Sequence, residues 1–380
     1  MLAMKIAVNT RLLLKNKLEG IGWFTFENLK RMVESHPEHE FYFLFDRPYD
    51  TDFIFAPNIK PVKIGLPTRH PLLWMLWFEC SIPFALRKIK PDIFISPDGF
   101  ISLHTKTPQI AVIHDLNFHH RPMDLPFWSR MYYRHFFPKF AKKAKHIITV
   151  SQYSKNDLCA SYHINPDKIS VVYNGAQELY KELTEEQQNG TKARYAMGKN
   201  YFLFVGAQHP RKNIDGLLQA FDLFKANWKT EHKLIIVGEK QFLTSKIEET
   251  YKNMAFKKEV LFTGRLSSEE IALVMGSATA LVYVPFFEGF GIPIVEAFYA
   301  GIPVIASNVT ALPEIADDAA LYVNPSSPED IAQAMNKISS DDLLRKQLIK
   351  KGKLKRPIYQ WDKSALELWD IIGSTVSQKE

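Results

Sequence analysis

Two glutamates, Glu288 and Glu296, flank the string Gly289-Phe290-Gly291-Ile292-Pro293-Ile294-Val295. An apolar, β-branched run, Thr279–Val284, precedes them and reads as a buried strand. Pro293 suits the start of a helix, and Gly301 its end. The stretch is therefore a strand, a glycine-containing loop and a helix N-terminus. Unpaired N–H groups and the positive end of the helix dipole suit an anion there. Gly289 and Gly291 let a ligand approach the backbone closely. A carboxylate accepts hydrogen bonds from paired hydroxyls, as in a ribose or a hexose. A second junction of the same kind runs Gly206-Ala207-Gln208-His209-Pro210-Arg211-Lys212-Asn213. Its adjacent cations match a diphosphate: arginine grips oxygens through a planar fork, and lysine acts as a point charge. Two further strand-like runs end in Asp98-Gly99 and His114-Asp115. The C-terminal ends of strands are where open α/β sheets bind ligands.

The elements that must position these residues alternate along the chain. Strands are expected at Lys5–Asn9, Glu40–Phe45, Ile59–Ile64, Asp92–Ser96, Gln109–Ile113, His146–Val150 and Ser170–Tyr173. Helical patterns follow Gly20-Ile21-Gly22, cover Pro71–Lys88 with a break, and cover Pro126–Lys145, which is basic and aromatic. Gln177–Asn200 is polar and reads as a structure-poor linker. The alternation then restarts. Strands are expected at Tyr201–Gly206, Lys233–Gly238, Val260–Gly264, Pro303–Ser307 and Ala320–Val323, besides the one before Glu288. Ser267–Glu270 is a capping box, and Ser327-Pro328 an N-cap with proline behind it. Two such arrays imply two doubly wound α/β domains, residues 1–176 and 177–357, with a ligand cleft expected between them.

The 380-residue length also favours two domains, and a 46% apolar content is that of a globular protein. Cys80 and Cys159 have no metal-ligand spacing and suggest a reducing compartment. No apolar run approaches a membrane span. A net charge of +7 favours anionic partners, among which nucleotide diphosphates, nucleic acids and anionic lipids all qualify. No clustered Asp-x-Asp, Walker loop or HExxH is present. Asp317-Asp318 and Asp341-Asp342 read as helix-flanking turns. Neither Gly20-Ile21-Gly22 nor Gly289-Phe290-Gly291 completes G-x-G-x-x-G, which disfavours a dinucleotide dehydrogenase.

With its strand and glycine loop, the Glu288…Glu296 string resembles the signature of retaining GT-B glycosyltransferases of family 4, the group 1 glycosyl transferases. The resemblance implies a GT-B fold: two Rossmann-like domains facing a cleft, with a last helix, about 358–380, crossing back to the N-terminal domain. Trp361, Leu366, Leu368, Trp369 and Ile372 would form its anchoring face. The resemblance also implies site roles. Arg211 and Lys212 would hold the diphosphate, with the amides around Gly291 and Ile292. Glu296 would bind the ribose, Glu288 with Phe290 and Gly291 the hexose, and His114 the transferred sugar. Gly22 would lie in a glycine loop near the diphosphate, and Arg265 and Leu266 would flank the base. Asp98 and Asp115 are candidates for acceptor contact. No metal and no other cofactor is expected, since such enzymes use cations and helix dipoles instead.

The expected activity is transfer of a hexose from a nucleotide-diphosphate sugar to a glycan or lipid-linked acceptor, with retention and without metal. Pro210-Arg211-Lys212-Asn213 resembles mannosyltransferase-like members, so GDP-mannose is the first donor to consider. The alternatives are a GT-B epimerase or phosphorylase, or a silent nucleotide- or glycan-binding protein. No nucleic-acid partner is expected. The basic aromatic segment 128–145 reads either as a patch for an anionic membrane surface or as an amphipathic helix with a solvated basic face. The expected location is cytoplasmic, with a peripheral place at the inner membrane face as the patch's corollary.

Overall fold

The computed structural model describes residues 3–65, 67–68, 70–240 and 245–377. It divides into two units, one of residues 1–174 with 360–380 and one of residues 175–359. Each unit is built on a fully parallel sheet.

In the first unit the strands are β1 (Lys5–Asn9), β2 (Glu40–Phe45), β3 (Ile59–Lys63), β4 (Ile93–Ser96), β5 (Gln109–Val112), β6 (His146–Thr149) and β7 (Ile169–Val171). They lie in the order β3-β2-β1-β4-β5-β6-β7. The central strands are buried on both faces, as a sheet covered by helices requires. The chain moves outward from β1 to β3, then returns to the other side of β1 with β4. That reversal leaves a crevice beyond the C-terminal ends of β1 and β4. Asn9, Asp98 and Arg11 occupy it: Asn9 Nδ2 donates to Ser96 Oγ at 3.0 Å and to Asp98 Oδ1 at 2.9 Å.

In the second unit the strands are β8 (Tyr201–Val205), β9 (Lys233–Val237), β10 (Val260–Gly264), β11 (Ala280–Tyr283), β12 (Val304–Ser307) and β13 (Leu321–Val323). Their order is β10-β9-β8-β11-β12-β13. The reversal here falls between β8 and β11, the two strands that lead into the Arg211-Lys212 and Glu288 loops. The strands abut closely at this edge. A Cβ on Gly238 would lie 2.0 Å from the Gly206 carbonyl oxygen, so only glycine fits between the ends of β8 and β9.

The helix Trp361–Ser377 packs in the first unit against the helix Gly20–Ser35. Ser364 Oγ donates to Asn28 Oδ1 at 2.9 Å, and His36 stacks on Trp369 with ring centroids 3.7 Å apart. Trp361, Leu368 and Ile372 are buried, but Leu366 is 64% exposed. The 3.6-residue period explains the correction, because the buried stripe runs 361, 365, 368, 372 and residue 366 faces away from it.

Other differences have equally local causes. The polar stretch expected as a structure-poor linker contains the helix Glu185–Ala196, opened by a capping box in which Thr184 and Gln187 bond each other's backbone N–H. Gly20 and Gly22 form the first turn of their helix rather than a loop ahead of it. The segment 71–89 is helical throughout but carries a wide π-type turn at Trp77–Ser81, where Trp77 Nε1 donates to Ile64 O at 2.9 Å. The basic aromatic helix runs Phe127–Lys143. It is not one continuous patch. Tyr132, Phe137 and Phe140 belong to the core, while Phe127, Trp128 and Met131 are exposed at one end and Lys142, Lys143 and Lys145 at the other.

Candidate active site

The loop after β8 and the loop after β11 are tied together. Phe286 N donates to Arg211 O at 2.8 Å, and Arg211 Nη1 to Phe287 O at 3.1 Å. Asn213, in the left-handed region at φ 57°, sends both hydrogens of its buried amide to carbonyls, Val284 O at 3.0 Å and Pro325 O at 2.7 Å. On the far side Ser307 Oγ donates to Pro285 O at 2.8 Å, and Glu288 N to Thr310 Oγ1 at 3.2 Å. The loops are therefore fixed by backbone contacts, and their charged side chains are left to face one another.

Those side chains converge on a single carboxylate oxygen. Arg211 Nη1 and Lys212 Nζ both donate to Glu288 Oε1. Lys212 Nζ also donates to the Tyr283 hydroxyl at 2.6 Å. Lys212 is 9% exposed and Glu288 7%, so the pairing takes place in a largely dry setting. Burial pushes the Glu288 carboxyl up, but Arg211 and Lys212 outweigh it and hold it below the usual carboxylate range. The cluster carries one net positive charge beside a helix start. Gly291 caps that helix at φ 98°, where a Cβ would meet Leu312 Cδ2 at 2.7 Å. Ile292 opens the helix, and buried Phe290 packs edge-on against Tyr359. Glu296, in the second turn, is buried, and burial pushes its carboxyl up to about 7 while the Tyr180 hydroxyl acts the other way. Arg265 and Leu266 follow β10 on the same sheet edge but beyond β9. Arg265 faces Glu239, Nε to Oε1, at 3.6 Å.

The first unit presents its own set. His114 Nε2–H donates to Pro97 O at 2.8 Å, which leaves Nδ1 as the lone-pair nitrogen. Burial lowers the pKa of this ring, so it is neutral near pH 7. Asp98 is fully engaged: Oδ1 accepts from Asn9, Ser96 and the Phe100 amide, and Oδ2 accepts from Arg11 Nε at 2.5 Å. Asp115 Oδ1 accepts from the amide and side chain of Asn117 and so holds a local turn. Gly22 is buried in the first turn of its helix. Sequence reasoning missed Tyr283 and Tyr180, which partner Lys212 and Glu296. It also missed Arg11, whose guanidinium lies 4.6 Å from the Phe100 ring centroid.

Among the described residues, His36, Glu38 and His39 bring three metal-type ligand atoms within 4.8 Å of one another. Their chemistry does not suit a metal. His39 Nδ1 accepts the Met4 amide at 3.0 Å, so Nε2 carries the proton that points toward Glu38.

Two Rossmann-like α/β units, the second with a cation–carboxylate cluster at its switch point, constitute the GT-B architecture of glycosyltransferases. The family profile described as "Glycosyl transferases group 1" matches residues 186–355, and "Glycosyltransferase Family 4" matches residues 19–177. The O-antigen chain mannosyltransferase RfbU of Salmonella typhimurium is 31% identical over 291 residues, 75% of this chain and 76% of that protein. The O-antigen chain mannosyltransferase B of Escherichia coli is 25% identical over 360 residues, covering 92% of this chain and 94% of its own. Among solved structures, Anabaena HepE in complex with UDP and glucose superposes with a TM-score of 0.77 at 15% identity, over 98% of this chain and 100% of that one. The chain belongs to glycosyltransferase family 4 and is mannosyltransferase-like in its relatives.

Proposed function

We propose that the chain transfers mannose from GDP-mannose to a glycan or lipid-linked acceptor hydroxyl, with retention and without a metal. The observation that carries the proposal is the convergence of Arg211 and Lys212 on Glu288 at the switch point of the second unit. The names of the O-antigen relatives support mannose, and the UDP and glucose held by HepE support a nucleotide-sugar donor.

In this reading the donor's diphosphate engages Arg211 and Lys212 together with the amides around Gly291 and Ile292. It competes with Glu288 for the two cations and turns that carboxylate toward the hydroxyls of the hexose beside Phe290. Glu296 accepts the ribose hydroxyls, and Arg265 and Leu266 flank the base. Neutral His114 offers Nδ1 to a sugar hydroxyl. As the bond from the sugar carbon to the phosphate oxygen breaks, its electron pair stays on the diphosphate, where the cations stabilise it. The acceptor oxygen bonds to the same carbon from the face the leaving group vacates, and its proton passes to a diphosphate oxygen. Asp98 lies on the acceptor side as framework, since both its oxygens are already bonded locally, while Asp115 uses Oδ1 for a local turn.

Incubation with GDP-mannose, UDP-glucose and UDP-galactose in excess EDTA tests this. GDP release and an α-linked product are expected with the first and not with the others. Activity that vanishes in EDTA and returns with magnesium or manganese sinks the metal-free mechanism. A β-linked product sinks retention.

The proposal extends to an anionic membrane surface. No described helix is long and apolar enough to cross a membrane. The exposed Phe127, Trp128 and Met131 and the exposed Lys142, Lys143 and Lys145 suit contact with one from the side. The protein is expected to co-sediment with phosphatidylserine vesicles and to be released by salt, because each lysine near such a surface contributes about 1 kcal/mol. Replacing Lys142, Lys143 and Lys145 by glutamate should abolish binding without lowering the melting temperature. Equal partition onto neutral and anionic vesicles would leave these lysines as an ordinary solvated face.

A further inference from the structure

Arg11 follows β1 in the crevice of the first unit and is 8% exposed. A guanidinium carries five N–H donors. Here Nε donates to Asp98 Oδ2 at 2.5 Å and Nη1 to Thr68 Oγ1 at 3.2 Å. Nη2 has no partner among the described residues, and it is not sealed from solvent. The groups around it are fully used. Thr68 Oγ1 gives its one hydrogen to Asp46 Oδ2 at 2.6 Å, so toward Arg11 it can only accept. Asp46 is buried and takes two bonds from Arg47, at 2.6 and 2.7 Å. Asp98 Oδ1 takes Asn9, Ser96 and the Phe100 amide. The Phe100 ring centroid lies 4.6 Å from the guanidinium carbon and covers its face, which leaves the edge to bond. A buried fork held from three sides, with one nitrogen unused, is a donor kept for something outside the chain.

We infer that Arg11 is an acceptor-binding residue, whose Nη2 donates to a hydroxyl oxygen of an uncharged saccharide in the switch-point crevice of the first unit. The inference rests on the glycosyl transfer proposed above and names the acceptor's chemical class. Charge decides that class. Each cation of the cluster has its own anion, Arg11 with Asp98 and Arg47 with Asp46. A carboxylate or phosphate brought to Nη2 would add an unbalanced negative charge beside the buried Asp98, which is costly. A hydroxyl oxygen takes a charge-assisted hydrogen bond and leaves the balance as it was.

The test is saturation-transfer NMR titration of four probes, the methyl glycosides of mannose, galactose, N-acetylglucosamine and glucuronic acid. The proteins are the parent, Arg11→Lys, the pair Arg11→Met with Asp98→Asn, and Arg47→Lys. Arg11→Lys keeps a cation for Asp98 but has no fork. The pair removes both charges together, so neither is stranded. Arg47→Lys loosens the same cluster and leaves Nη2 in place. The parent should bind a neutral glycoside, and bind the glucuronide more weakly. Arg11→Lys and the pair should weaken that glycoside about tenfold or more, the scale of one hydrogen bond from a charged group. Their GDP affinity by calorimetry should be that of the parent, and Arg47→Lys should bind the glycoside as the parent does. The inference is overturned if the parent saturates no neutral glycoside or prefers the glucuronide. It is overturned equally by an unchanged constant in a folded Arg11 variant, by GDP affinity falling in step, or by the same loss in Arg47→Lys. If neither Arg11 variant melts cooperatively, Arg11 is a structural residue only. A parent that binds a neutral glycoside through Arg11 but binds no GDP sinks the donor reading and leaves this site standing.

Discussion

Lys212→Ala is expected to lower turnover by roughly 10²–10³-fold, the scale of removing one preorganised electrostatic stabiliser from a buried site. Donor affinity should fall far less. Negative charge grows on the diphosphate only as the sugar leaves, so a cation aimed at it acts more on the transition state than on the bound ground state. The structure shows why Lys212 is held for this role. Its ammonium rests between Tyr283 and Glu288 and is 9% exposed, so little water screens it. Steady-state kinetics beside GDP calorimetry separate the two effects. A variant whose donor constant rises while kcat is preserved would reduce Lys212 to a binding residue.

Glu288→Gln should show an opposed pair of effects. Turnover is expected to drop by at least about 10²-fold, because the hexose loses the anion beside the carbon where positive charge develops. GDP itself should bind several-fold more tightly, since the two cations no longer have a built-in anion with which the diphosphate must compete. Stability should fall by about 3 kcal/mol at neutral pH, the cost of stranding buried cations. The sign of the pH dependence follows from the carboxyl being held below its ordinary range. Its stabilisation is present above the unfolded-state pKa and is lost as pH falls through the folded one. Parent and variant melting curves should therefore converge in acid. Weaker GDP binding in the variant would show that Glu288 holds the nucleotide end directly.

The parts of the site that rest on local chemistry were legible in the sequence. Arg211-Lys212 and Glu288…Glu296 each sit at a strand–loop–helix junction, and such junctions show in one window of residues. Their meeting was not legible. It depends on β8 and β11 being neighbours, which follows from strand order and not from either segment. Partners drawn from elsewhere were missed for the same reason. Tyr283 read as the end of a core strand and Tyr180 as linker, and only tertiary structure brings their hydroxyls to Lys212 and Glu296. Asp98 and Asp115 show the reverse. They stand at the expected strand ends, but Asn9 and Arg11 already occupy both oxygens of Asp98, and Asn117 occupies Oδ1 of Asp115. The helix Glu185–Ala196 was missed because it carries almost no apolar stripe, and its one signal was the Thr184–Gln187 cap.

The return of Trp361–Ser377 to the first unit has a consequence for how the chain is made. The second unit is one continuous stretch and can fold as soon as it leaves the ribosome. The first cannot. Its helix Gly20–Ser35 waits for Trp361, Ser364 and Trp369, which are synthesised after the whole second unit. During that interval Phe24 and the rest of that face lack their cover, and the half made first is the half completed last. Early termination of translation near residue 359 would therefore damage the unit whose own residues had all been made up to 174, and would leave the stretch carrying Arg211, Lys212 and Glu288 whole.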